Sequence, residues 1–214
     1  MNKWLKITLL AILTVGIAVL AWTLFRQITT PIEYDKELNI RETAVIERIK
    51  DIRSAEQAFK LKNQRYVGDW DSLINFVLGD TLTFERKLVD ENDSLAMVAL
   101  KRSGRQNVEQ FKMAVRDTIF SPRKLNDQQI RDLKYIPFAQ QGTEYLLAAT
   151  MFTTESKVVV PLFSARAPYK AFMWDLDEQE LINLIDNAKN VFYKYPGIEV
   201  GSVERATNDA GNWE

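Results

Sequence analysis

Cysteine and histidine are both absent from the 214 residues. Their absence excludes disulfides, thiolate nucleophiles, Cys/His zinc sites, and any catalytic triad that uses His as its base. It also excludes a lipid anchor attached through cysteine. A chain without thiols fits an oxidising compartment, where stray cysteines pair wrongly. Glycine is scarce, with eight residues scattered singly, and the sequence contains no Walker A motif, no GxGxxG and no GxSxG. Internal repeats and low-complexity tracts are missing as well. No acid occurs before Glu33, although Lys3, Lys6 and Arg26 supply three cations there.

What is present describes a folded chain. Apolar residues make up 46% and aromatics 11%, enough for one domain with a real core. The formal net charge is −1, and all 29 acids lie beyond residue 26. A near-neutral, slightly acidic domain argues against nucleic acid as a partner.

Ile7 to Phe25 carries no charge: "ITLLAILTVGIAVLAWTLF". As a helix it spans about 28 Å, close to the hydrocarbon thickness of a bilayer. Trp4 and Trp22 lie near its two ends, where indoles favour the membrane interface, and Ile7 and Phe25 bound the apolar run. These four residues mark a membrane anchor. The competing reading is a signal peptide cut near Ala21. Against it, the run is longer than a usual signal core and continues through Trp22, Leu24 and Phe25. Lys3 and Lys6 precede the span, so the positive-inside rule favours a cytoplasmic N-terminus. Pro31 lacks an N–H and disfavours helix at Thr30, which predicts that the membrane helix ends before it. The resulting divisions are a cytoplasmic N-terminus over 1–6, a transmembrane helix over 7–26, a tether over 27–38, an exported domain over 39–203, and a loose polar tail over 204–214.

Within the domain, Asn39 and Glu42 resemble a capping box. Val45, Ile49, Ile52, Ala55 and Phe59 then form one apolar stripe on a helix, with Glu42 and Glu56 mostly off it. Asn63 suits the residue that closes this helix, and Asp69 caps a second over about 70–78, ended by Gly79. "TLTFERKL" alternates like a strand, "SLAMVALKR" suits helix or strand, and "FKMAVRDTIF" reads as a strand stopped by Pro122. "LKYIPF" predicts a short edge strand. "TEYLLAATMF" and "SKVVVPLF" predict a hairpin around Thr153-Thr154-Glu155, with Pro161 implying an edge. A strand is expected at "YKAFMW". Asp177 and Glu180 cap a helix with Leu181, Leu184, Ile185, Ala188 and Phe192 on one face, and "IEVGSV" is the last strand. Helices therefore pack on a mostly antiparallel sheet, an α+β domain behind an N-terminal transmembrane helix.

Two acidic clusters, Asp175/Asp177/Glu178/Glu180 and Asp90/Glu91/Asn92/Asp93, could offer oxygens to calcium. Neither has EF-hand spacing, and capping and a solvated turn account for them. No catalytic residue, metal or cofactor is expected. Trp213 in a polar tail is the candidate partner contact, with folding back on its own domain as the alternative.

The stretch "SAEQAF…NQRYVGDWDSL" resembles the region beyond the membrane helix of type IV pilins and pseudopilins, over residues 40–75. Three departures accompany it. There is no Gly before a Phe or Met at the start of the apolar segment, no Glu five residues in, and Pro31 interrupts a helix that pilins run unbroken. The whole chain is also similar to uncharacterised bacterial single-span envelope proteins ending in "GNWE", a resemblance that implies no activity. The expectation is a non-catalytic, single-pass protein of the bacterial inner membrane with a periplasmic domain. Its role would be interaction or assembly with protein partners, as an accessory of a secretion or pilus-like machine, and oligomerisation is possible. The alternatives are a pilin-like filament subunit and an anchored or secreted ligand-binding protein or enzyme.

Overall fold

The computed structural model describes residues 3–90, 93–104, 106–121 and 123–214. Its dominant element is one helix, α1 (Lys3–Asn63), of 61 residues. The sequence predicts a break here, and there is none. Pro31 lies inside α1, residues 27–38 are helical rather than a tether, and the Asn39/Glu42 box caps nothing. Asn39 instead donates from Nδ2 to the Asp35 carbonyl one turn back (2.8 Å). Proline removes a single intrahelical bond. The helix is held on the far side of it, because Tyr34 and Leu38 already pack into the domain core. Asn63 is the last helical residue, and the left-handed position falls on Gln64 (φ 56°).

The two halves of α1 have different surroundings. Trp4 and the large apolar side chains from Ile7 to Ile32 are exposed, Trp22 at 68%. This half is a candidate membrane span by length and composition, with none of its most apolar window buried in the domain. From Tyr34 onward the stripe Val45, Ile49, Ile52 and Ala55 is buried, and Phe59 packs beside it. Each fully buried aliphatic side chain contributes about 1.5–3 kcal/mol, so this face holds the domain on the helix.

The domain is α+β. After α1 come α2 (Trp70–Gly79), β1 (Thr81–Lys87), α3 (Ser94–Arg102), β2 (Val108–Ala114), α4 (Val115–Ile119) and α5 (Asp127–Arg131). Then follow β3 (Leu146–Thr153), β4 (Val159–Pro168), α6 (Tyr169–Phe172), α7 (Glu178–Asp186) and β5 (Gly197–Gly201). Asp69 and Asp177 cap α2 and α7 as their spacing predicts, accepting from Ser72 N and from Gln179 N and Glu180 N. β1 and β2 form an antiparallel pair, Phe84 facing Phe111 with ring centroids 5.8 Å apart.

The main sheet has the order β3–β4–β5, antiparallel throughout. Pro161 is in its central strand, opposite Met151, but β5 pairs only with Ser164–Pro168. The missing N–H therefore points to an unpaired stretch, and the edge reading holds locally. Phe163, Ala165, Ala167 and Val200 of the sheet are buried in the same core as the α1 stripe. At Gly201 (φ +68°) a Cβ would lie 2.3 Å from the Phe163 carbonyl oxygen, so only glycine fits.

Several local expectations are corrected. "LKYIPF" is a 3-10 turn (Asp132–Lys134) followed by one isolated bridge, Tyr135 to Glu144. "YKAFMW" is α6 rather than a strand. "FKMAVRDTIF" divides into the end of β2 and α4, and Pro122 falls outside the described residues. α7 ends at Asp186 and passes into a π-helical turn (Asn187–Val191), which leaves Phe192 exposed rather than on the Leu181 face.

The tail is not loose. Gly201 N donates to the Ala210 carbonyl, Asn212 N donates to the Glu199 carbonyl, and the Asn212 side chain donates to the Gly197 carbonyl (2.8 Å) and accepts from Glu199 N (3.1 Å). A Cβ at Gly211 would meet the Trp213 ring at 2.4 Å. Glu214 Oε1 accepts from Arg53 Nη1 at 2.6 Å. Each residue of "GNWE" thus holds the tail against β5 or α1.

Candidate functional site

The α1 stripe continues one turn toward the membrane-candidate half. Glu42 lies three residues before Val45 and four before Ile46, so it projects beside the apolar face rather than away from it. Across from it, α6 begins directly after Pro168 and presents Tyr169. Tyr169 lines the same groove as Glu42. Leu184 of α7, Ala188, Phe192 and Ile198 of β5 also line it. Trp213 and Asn212 come from the anchored tail, and Lys194 and Tyr195 form the rim. Together they enclose a groove of about 320 Å³, at the small end of ligand-sized sites.

Its electrostatics are uneven. Burial pushes the Glu42 carboxyl above its ordinary range, and the neighbouring Tyr169 hydroxyl opposes that push. Lys194 lines the same groove but is exposed. The Tyr169 and Tyr195 hydroxyls are also pushed up, chiefly by burial. Phe192, which lines the groove, and its neighbour Tyr193 are exposed at 65% and 87%. Glu42 is thus a half-buried carboxylate walled by aliphatic and aromatic side chains.

Trp213 sits in this groove, half-buried and packed against the core. Its aromatic ring folds back on the domain and also forms one wall of the opening. Trp4, Ile7, Trp22 and Phe25 are far along α1 on its exposed half. The acidic clusters are otherwise engaged. Asp175 receives both Arg41 guanidinium nitrogens (2.5 and 3.0 Å), which holds its carboxyl below the usual carboxylate range, and Asp177 caps α7. In the other cluster Asp93 caps α3, while Glu91 and Asn92 lie outside the described residues. Among the described residues no group of three or more acids is placed to hold a metal.

A second polar cluster faces the tail higher on α1. Glu56 is wholly buried, with Oε2 accepting from Val67 N (3.0 Å) and Oε1 without a hydrogen-bond partner. Its carboxyl is pushed up to about 8, first by desolvation, against the Val67 hydrogen bond, with Asp209 adding to the rise. Tyr66 donates its hydroxyl to Asp209 Oδ2 (2.5 Å) and receives Lys60 Nζ (3.1 Å).

The sequence alone points to neither Glu42 nor Glu56 as a site residue. The signal was present in the spacing, since 42, 45, 49, 52, 56 and 59 recur at three and four. Acidic residues on an otherwise apolar stripe are the ones a helix buries at a cost. Tyr169 was hidden by its reading as strand.

No family model matches the chain, and neither the curated proteins nor the solved structures give a match.

Proposed function

We propose that this chain is a membrane-anchored interaction or assembly protein of the bacterial envelope. Its N-terminus is cytoplasmic, its span crosses the inner membrane, and its α+β domain lies in the periplasm. The observation that supports this is the division of α1: one helix is exposed and apolar in its first half and forms the domain core in its second. A domain carried on such a helix is held at a fixed height and orientation, as a component of a larger machine requires. The Glu42–Trp213 groove is the surface offered to the partner.

The unbroken passage through Pro31 favours one second reading, a pilin-like filament subunit, because it removes one of the three departures from that family. The other two remain: no Gly before Phe or Met at the head of the apolar segment, and no Glu within it.

A photo-reactive amino acid at Phe192, on the groove rim, tests the proposal in native membranes, with Val158 at the exposed β3–β4 tip as the second position. The expected result is one discrete adduct from position 192, identified by mass spectrometry as an envelope protein, and none from 158. The intact mass of the chain is expected to be that of the uncut sequence. A shortened N-terminus with self-adducts would favour the filament reading. Absence of any adduct at 192 would overturn the assembly role.

A further inference from the structure

Glu42 is a half-buried carboxylate in this groove, and no salt bridge to it is found among the described residues. The neutral Tyr169 side chain lines the groove with it, and the surrounding walls include the apolar Ile46, Leu184, Ile198 and the Trp213 ring. Lys194 is on the rim with its side chain exposed, so its charge stays in solvent. An anion would meet Glu42 as a like charge. A neutral apolar group would fill the walls and leave the carboxylate dry and unpaired, at a cost in free energy. A cation on an aliphatic stem satisfies both parts, because its stem lies on the apolar walls and its head reaches the carboxylate in a charge-assisted hydrogen bond. The aromatic faces nearby also favour positive charge.

We propose that the groove captures a lysine-type side chain of the partner protein, its ammonium paired with Glu42 and its four-carbon stem lying between Ile46, Leu184 and the Trp213 ring. This rests on the interaction role proposed above and names the chemistry of that same surface. The upward push on the Glu42 carboxyl is the free-state counterpart of the missing cation.

The probe is n-butylammonium, which carries the lysine stem and head alone, added to the full chain in mild detergent. The readout is ¹⁹F NMR of protein labelled with 5-fluorotryptophan, the Trp213 resonance being assigned by Trp213→Phe. Butylammonium is expected to shift the Trp213 resonance saturably, with 1-butanol and butyrate at least tenfold weaker. In Glu42→Gln the butylammonium affinity is expected to fall at least tenfold, while the Trp70 resonance, inside the domain, stays in place and reports an intact fold. Equal responses to butanol or butyrate, an undiminished response in Glu42→Gln, or no saturable shift at all would overturn the proposal. Small-molecule binding does not depend on the membrane or on the partner. Failure here with a positive cross-link at Phe192 would leave the interaction role standing and discard the cation.

Discussion

The folded protein is expected to lose about 4–5 kcal/mol of stability between pH 4.5 and 8, and Glu56→Gln is expected to remove most of that slope. The reason is Glu56, wholly buried with one carboxyl oxygen unpartnered, its pKa pushed up to about 8 from an ordinary 4.5. In the folded state it holds its proton through this interval, whereas in the unfolded chain it has released it. The folded state therefore binds more protons, and stability falls as pH rises, by about 1.4 kcal/mol for each unit separating the two pKa values. The effect is complete above pH 8 and absent below 4.5. Glu42 and Glu199, also pushed up by burial, add smaller slopes of the same sign. The carboxyls held low, Asp69, Asp80, Asp175 and Glu214, lose stability only as pH falls below about 4, outside this window. Urea unfolding of the full chain in mild detergent at pH 5 and pH 8, for wild type and Glu56→Gln, measures both slopes. A wild-type protein equally stable at the two values would show that Glu56 reaches water or a partner.

Gly16→Arg is expected to release the protein from membranes. Residue 16 is the midpoint of Ile7–Phe25, and an arginine at the centre of a span costs about 2.5–3.5 kcal/mol on insertion scales, roughly a hundredfold in the inserted fraction. A Cβ at Gly16 meets nothing within 4 Å, so the substitution leaves the domain untouched. Carbonate-washed membranes should retain wild type and lose the variant, while near-ultraviolet circular dichroism of the domain is unchanged. Retention of Gly16→Arg would contradict the anchor. A wild-type product beginning near Trp22 would instead support the signal peptide.

Local chemistry was legible in the sequence where a single residue decides it. Asp69 and Asp177 precede helices and cap them. Thr153-Thr154-Glu155 separates two runs of β-branched and apolar residues, and they pair. Where two principles compete, the composition alone misleads. Pro31 disfavours helix, but the core contacts of Tyr34 and Leu38 fix the chain just beyond it, and the outcome is set by tertiary packing. At "YKAFMW" the alternation suggests a strand, yet Phe172 and Met173 are consecutive and both fully buried, which a strand with one exposed face does not allow. At "LKYIPF" the buried pair is Leu133 and Ile136, three residues apart, a spacing of turns and helices rather than of strands. The tail reads as polar and is, but Asn212 spends its polarity on β5. The groove could not be read from the sequence because its walls come from residues 42 to 213, brought together only by the sheet and the tail.

The central claim is that a single helix passes from the apolar half into the domain without a break at Pro31. The absence of native cysteine makes a clean test possible with spin labels at Phe25→Cys and Thr43→Cys. Both positions are exposed, and they lie eighteen residues apart on one face of α1. Double electron–electron resonance on the protein in lipid nanodiscs should give one narrow distance near 27 Å, the rise of eighteen helical residues. A broad distribution, or a distance many ångströms shorter, would mean that residues 27–38 are a flexible tether and would contradict the account.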